Sequence, residues 1–276
     1  MRDLAETCPP RPPVRWADLR QRVLSAAVLA PVALVCLWLG GWAWSVLVGL
    51  GAGGIAVEWA RLCGGSPWGA RGLGVAGAIL LAWAVAALGN AGAGLLVLLA
   101  GSTLLAVLAR RPLLAIGALY AGLSAVALPW LRAEDASGRA NLLFLVMVVW
   151  ASDVGAYIVG RLVGGAKLWP AVSPGKTWSG AGGGLLCAML AGLLAGSMLA
   201  PGPAWRMLGL AGGLGILAQL GDLLESGVKR RFGVKDSSRL IPGHGGLLDR
   251  LDGLLAAAPA AALLALVLGR GAFLWR

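Results

Sequence analysis

The sequence predicts an all-α polytopic integral membrane protein with about nine transmembrane helices and a cytoplasmic N-terminus. Three observations predict it. Apolar residues make up 59% of the chain and charged residues only 13%, against roughly 25% in a soluble domain. Apolar runs near the ~20 residues that a helix needs to cross a bilayer recur along almost the whole length. The Lys and Arg residues also sort to one side when the runs are read as alternating spans.

Residues 1–22 read as a short cytoplasmic tail. The segment is too long and proline-rich for the start of a signal peptide, and no A-x-A pattern follows the first apolar run. Spans then fall near 23–39, 42–58, 72–88, 91–109, 113–130, 140–160, 180–200, 206–221 and 253–269. Several are rich in Gly and Ala, which lets helices approach closely in lipid. Up to residue 139 the spans form a scaffold with almost nothing ionisable except Glu58, which reads equally as a helix-end charge and as a site residue. Residues 140–276 form the catalytic region, with cytoplasmic loops at 161–179 and 221–252.

With the N-terminus inside, 18 of the 23 basic residues fall on cytoplasmic segments; the other side holds Arg132, Arg139, Arg206, Arg270 and Arg276. Most of the net charge of +11 is therefore topological. The remainder is available to anionic lipid or nucleotide. The chain has no separate soluble basic domain, which argues against nucleic-acid binding. Cys8, Cys36, Cys63 and Cys187 show no metal or disulfide spacing and read as small hydrophobes.

Ionisable residues concentrate between Gly221 and Asp252. This stretch holds five of the twelve acids and the only histidine, His244. Charge at membrane depth is costly, so such a concentration points to a site. If the eighth span continues as a helix, Asp222, Glu225, Ser226 and Lys229 share one face. Lys229, Arg230, Arg231 and Lys235 offer cations to phosphates, followed by the acid Asp236. Gly243, Gly245 and Gly246 bracket His244 in a loop able to approach an anion closely. Asp249 and Asp252 follow on one face of the ninth span. Carboxylates beside a basic glycine loop suit Mg²⁺ and a triphosphate. Upstream, Asp153 lies within an apolar span. Ser173, Lys176 and Thr177 are further phosphate contacts. The G-K-T of VSPGKTWSG is not a P-loop, because the first glycine of that motif would fall on Pro170.

The segment SGVKRRFGVKDSSRLIPGHGGLLDRLD, residues 226–252, resembles the signature of phosphatidate cytidylyltransferases, or CDP-diacylglycerol synthases. GDLLE at 221–225, SDVGAY at 152–157 and SPGKTWSG at 173–180 look like further family motifs. The last departs from the usual S-P-K-K-T-x-E-G at Gly175 and Ser179. The resemblance implies transfer of a cytidylyl group from CTP to phosphatidate, with Mg²⁺ and K⁺ as accompanying ions. By resemblance, Asp222 and Asp249 are the metal carboxylates. Lys229, Arg230, His244 and Asp249 are the catalytic residues. Ser173, Lys176, Thr177, Ser226, Lys229, Arg230, Lys235, Gly245 and Gly246 bind substrate. Asp153, Glu225, Asp236 and Asp252 are second-rank candidates. The expected partners are CTP, phosphatidate, membrane lipid and a second copy of the chain. The expected place is a bacterial inner membrane, with the site facing the cytoplasm.

Two other classes fit less well. A CTP-dependent enzyme acting on another lipid acceptor, such as a polyprenol kinase, would share the chemistry but not the long signature. A transporter would spread acids through mid-membrane positions in both halves, whereas here they cluster after residue 150.

Overall fold

A computed structural model of the chain describes residues 16–238, 240, 245–269 and 271–276. Within them the chain forms α1 (Trp16–Leu39), α2 (Gly41–Leu62), α3 (Ala70–Ala87), α4 (Ala91–Ala109), α5 (Pro112–Arg132), α6 (Asp135–Val163), β1 (Lys167–Trp169), β2 (Ser173–Thr177), α7 (Trp178–Leu199), α8 (Ala204–Arg231) and α9 (Leu248–Leu268). The helices α2 to α9 are each long and apolar enough to cross a membrane, and α1 contributes a shorter apolar stretch, Ala27–Leu39. The protein is an all-α polytopic membrane protein, as the hydropathy predicts.

Three boundaries differ from the expected ones. α1 begins at Trp16, inside the segment read as a tail. The polar stretch 221–252 is not one loop, because α8 runs on to Arg231 and α9 starts at Leu248. Hydropathy ends a span where charge begins, but a helix carries on into the interface wherever its backbone bonds can be made. The segment 161–179 folds into an antiparallel hairpin in which Lys167 pairs with Thr177 and Trp169 with Ser173. Strands this short leave no readable alternation.

Small residues set the packing of the second half. Gly180, Gly184, Ala188, Gly192 and Gly196 recur every fourth residue of α7 and are buried. A Cβ at Gly180 would lie 2.8 Å from the Ala156 carbonyl oxygen, and one at Gly184 2.7 Å from that of Ser152. Further along, a Cβ at Gly192 would meet Ala211 of α8 at 2.3 Å. The stripe therefore seats α7 against α6 and then α8 at backbone distance.

Polar side chains complete the broken backbone. Pro259 within α9 has no N–H to offer Leu255, four residues earlier. Ser124 Oγ of α5 donates to the Leu255 carbonyl at 2.7 Å, and Tyr120 Oη donates to that of Asp252 at 2.8 Å. At the opposite end, Arg132 donates to the Leu37 and Trp38 carbonyls at 2.7 and 2.9 Å and so closes the C-terminus of α1. The last residues fold back there too: Trp275 stacks on Phe144, with centroids 4.5 Å apart, and donates to the Ala200 carbonyl.

Gly184→Ala is expected to lower stability in detergent by about 1–3 kcal/mol, because the carbonyl it meets is backbone and has no side-chain freedom to yield. A Cβ at Gly182 meets nothing within 4 Å, so Gly182→Ala is the control. Thermal unfolding should show a lower midpoint for the first variant and an unchanged or raised one for the second.

Candidate active site

The last turns of α8, the first turn of α9, the hairpin and the end of α2 meet at one end of the bundle. α8 presents Asp222, Glu225, Ser226 and Lys229 in the expected succession, and Gly221 lets α9 approach: a Cβ there would lie 2.6 Å from the Asp252 carbonyl. Asp222, Glu225 and Asp252 consequently place one carboxylate oxygen each within 4.8 Å of one another. Glu225 is 1% exposed, and its Oε1 accepts no hydrogen bond among the described residues.

Cations surround this group. Lys229 Nζ lies 2.6 Å from Glu225 Oε2 and donates to Asp249 Oδ1 at 2.7 Å, tying α8 to α9. Lys176, on β2, pairs with Asp222 Oδ2 at 2.6 Å and so closes the hairpin over the site. Arg230 is exposed, donating to the carbonyls of Val172 and Val234 at 3.3 and 3.1 Å. Asp153, on an exposed face of α6, lies in electrostatic range of Asp222, Lys176 and Arg250. The sequence-predicted residues Asp153, Lys176, Asp222, Glu225, Ser226, Lys229, Asp249 and Asp252 are thus brought together from α6, β2, α8 and α9.

Asp249 has a more occupied environment than its place in the sequence suggests. Besides Lys229, it accepts from Ser237 N at 3.0 Å, Ser237 Oγ at 3.1 Å and Gly246 N at 2.8 Å. Its second-rank neighbours Glu225 and Asp252 complete a close carboxylate group with Asp222, and Asp249 lies directly against Glu225. Ser226 Oγ faces Asp222 Oδ1 at 3.4 Å. Thr177 is buried as the N-cap of α7, accepting from Gly180 N at 3.1 Å, while Ser173 is half-buried on β2. Lys235 and Asp236 are exposed. Gly245 takes φ +86°, a left-handed value that favours glycine. His244 lies outside the described residues.

Glu58 is the residue that the sequence left undecided. It is 1% exposed at the end of α2. It accepts from Ser238 Oγ at 2.6 Å, Leu247 N at 2.8 Å, Leu248 N at 2.7 Å and Ser237 Oγ at 3.1 Å. The first half of the chain therefore reaches into the polar segment instead of only supporting it. The one available signal was a carboxylate among apolar residues near the end of a span.

Residues 20–268 match the cytidylyltransferase family. The chain belongs to that family. The phosphatidate cytidylyltransferase of Brucella suis is 41% identical over 260 residues, covering 88% of this chain and 91% of that protein. That of Staphylococcus saprophyticus is 46% identical over 141 residues, 51% of this chain and 53% of its own length. That of Staphylococcus epidermidis is 48% identical over 123 residues, 44% and 47% of the two chains. The protein is accordingly a membrane-embedded nucleotidyltransferase, which ends the case for a transporter.

Within this cytidylyltransferase, the two departures in the SPGKTWSG segment have separate settings. A Cβ at Gly175 meets nothing within 4 Å, so the position has room for a longer residue. Ser179 Oγ donates to the Gly164 carbonyl and lies 3.0 Å from Thr177 Oγ1, which ties the end of α6 to the start of α7.

Gly246 is the tightest point of the loop before α9. A Cβ there would fall 1.9 Å from Ser237 Oγ and 2.9 Å from Glu58 Oε2. Gly246→Ala is expected to push Ser237 off Asp249 and lower nucleotidyl transfer by up to ~100-fold, the scale of a misplacement near 1 Å. Steady-state kinetics on protein with wild-type circular dichroism checks this.

Proposed function

We propose that this protein makes CDP-diacylglycerol from CTP and phosphatidate, releasing pyrophosphate. The observation that carries the site assignment is the cluster of Asp222, Glu225 and Asp252, set between Lys176 and Lys229 at the end of a membrane bundle. A phosphate oxygen of phosphatidate attacks the α-phosphorus of CTP. The bond from that phosphorus to the bridging oxygen breaks, and its electrons leave with pyrophosphate. No protein nucleophile is needed, so the residues position the reactants and neutralise charge.

The donor set fits Mg²⁺: hard carboxylate oxygens converge, and one buried oxygen of Glu225 has no hydrogen-bond donor among the described residues. Asp222, Glu225 and Asp252 would hold the ion, with Asp249 joined to them through Lys229; K⁺ is a second candidate ion. Bound there, Mg²⁺ would neutralise triphosphate charge. Asp249 also keeps Lys229 beside the cluster, where its ammonium faces incoming phosphate. Lys176, Arg230 and Lys235 supply further positive charge, Ser173, Ser226 and Thr177 supply hydroxyls, and Gly245 and Gly246 a close backbone. His244 precedes Gly245 in the sequence, and Asp236 lies beside Gly245.

The orientation follows the positive-inside distribution, with the site facing the cytoplasm of a bacterial inner membrane, where CTP is available. The family resemblance favours a homodimer as the working unit.

The deciding experiment combines purified protein, radiolabelled CTP, phosphatidate and Mg²⁺, followed by lipid extraction. Label should enter the lipid phase only with both substrates and the metal present. Asp222→Asn and Asp249→Asn should each lower the rate at least ~100-fold, the upper end of what losing an outer-shell partner costs a metal site. Near-normal turnover by both variants would overturn the site assignment. Transfer to a different lipid phosphate but not to phosphatidate would reassign the acceptor.

A further inference from the structure

We propose that Glu58 is a positioning residue for cytidylyl transfer, holding Ser237 and the start of α9 so that Asp249, and through it Lys229, stays in register with the cluster on α8. The proposal rests on the functional reading above and assigns a role to a residue outside the polar segment of the second half.

The geometry points to this in three ways. First, all four hydrogen bonds described for Glu58 come from residues 237–248, and none from the scaffold around it. Second, α9 lacks a cap of its own. Its N-cap is Leu247, whose side chain offers no acceptor. The N–H groups of Leu247 and Leu248 point instead at the two oxygens of Glu58. An anion at a helix N-terminus is favourable, and here another helix supplies it. The preceding N–H, of Gly246, goes to Asp249 at 2.8 Å, so Glu58 and Asp249 divide this backbone turn between them.

Third, Glu58 and Asp249 share Ser237. Its hydroxyl lies 3.1 Å from Glu58 Oε2 and 3.1 Å from Asp249 Oδ2, while its N–H donates to Asp249. A hydroxyl has one proton, so it serves one carboxylate at a time. The shared Ser237 couples the two acids: displacing the chain at Glu58 moves a donor of Asp249. Asp249 in turn holds Lys229, which bridges to Glu225. The chain of contacts from Glu58 to Glu225 is continuous and buried or half-buried throughout.

The test pairs Glu58→Gln with Ser238→Ala, which removes the 2.6 Å bond to Glu58 together with the 3.1 Å donation from Leu240 N to the same hydroxyl, and serves if the first variant fails to fold. Glu58→Gln keeps the shape but turns one acceptor into a donor facing an N–H. Two readouts are needed. Hydrogen exchange over 237–251 in detergent reports the clamp whatever the substrate is. Steady-state kinetics with CTP, phosphatidate and a Mg²⁺ titration report its use. The expected result is faster exchange at 245–248, with kcat reduced roughly 10- to 100-fold and a higher Mg²⁺ requirement. Restoration of most of kcat by Glu58→Asp, which keeps the charge, would support the same role. Unchanged exchange would overturn the clamp. Faster exchange with wild-type kcat, KM and Mg²⁺ dependence would reduce Glu58 to a purely structural cap. A wild-type protein that makes no CDP-diacylglycerol would overturn the functional reading instead, with the exchange data still deciding the clamp.

Discussion

The arrangement depends on one constraint: carboxylates gathered at the end of a helix bundle must each find compensation. Glu58, Asp222, Glu225, Asp249 and Asp252 meet it differently. Glu58 takes two backbone N–H groups and two hydroxyls. Asp249 takes backbone N–H groups and an ammonium. Asp222 has Lys176, and Glu225 shares Lys229 with Asp249. Asp252 has only the N–H of Gly253 among the bonds described to its carboxylate. Two lysines face the four carboxyl groups of Asp222, Glu225, Asp249 and Asp252. Burial of uncompensated charge is unfavourable. The carboxyl groups converge most closely at Asp222, Glu225 and Asp252, where a cation is proposed to sit. The fully bonded acids, Glu58 and Asp249, set the frame around it.

That division separates two kinds of carboxylate which look alike in sequence. An acid whose lone pairs are filled by backbone donors fixes geometry; an acid left under-satisfied is available to a ligand. Asp249 is close to the first kind in this structure, but one of its donors is the ammonium of Lys229 and not a peptide group. A lysine can exchange a carboxylate for a phosphate without disturbing the fold, because it is a point charge on a flexible stem. Lys176 has the same property on Asp222. Both ammonium groups lie against the cluster of Asp222, Glu225 and Asp252.

The spans were legible because each is long and apolar, with glycine, proline, asparagine or charged residues between them. The shared face of Asp222, Glu225, Ser226 and Lys229 was legible because helical spacing fixes it. Glu58 was not, since its partners lie 179 to 190 residues away and are mostly backbone groups that every residue possesses. The hairpin was hidden by its brevity. Thr177 read as a phosphate contact because a hydroxyl beside Lys176 suits one, whereas its position just before α7 also makes it an N-cap. The identity of the third close carboxylate depended on where α9 meets α8, which Gly221 decides by allowing backbone approach.

The SPGKTWSG segment departs from the expected family pattern at two positions with different surroundings. Its lysine pairs with Asp222, and its threonine caps α7. These two roles need the strand to end and the helix to begin where they do. Gly175 faces open space, so its side chain has no structural partner to lose. Ser179 stands where the expected pattern has a longer acid, and its hydroxyl bonds the chain just after α6, a short tether between the end of α6 and the start of α7. The same two elements are also held by the close contact of Gly160 with Gly180. Small residues in α6 and α7, more than charge in the loop, keep Asp153 and Lys176 at a common depth. A longer residue at Gly175 is therefore compatible with that helix contact.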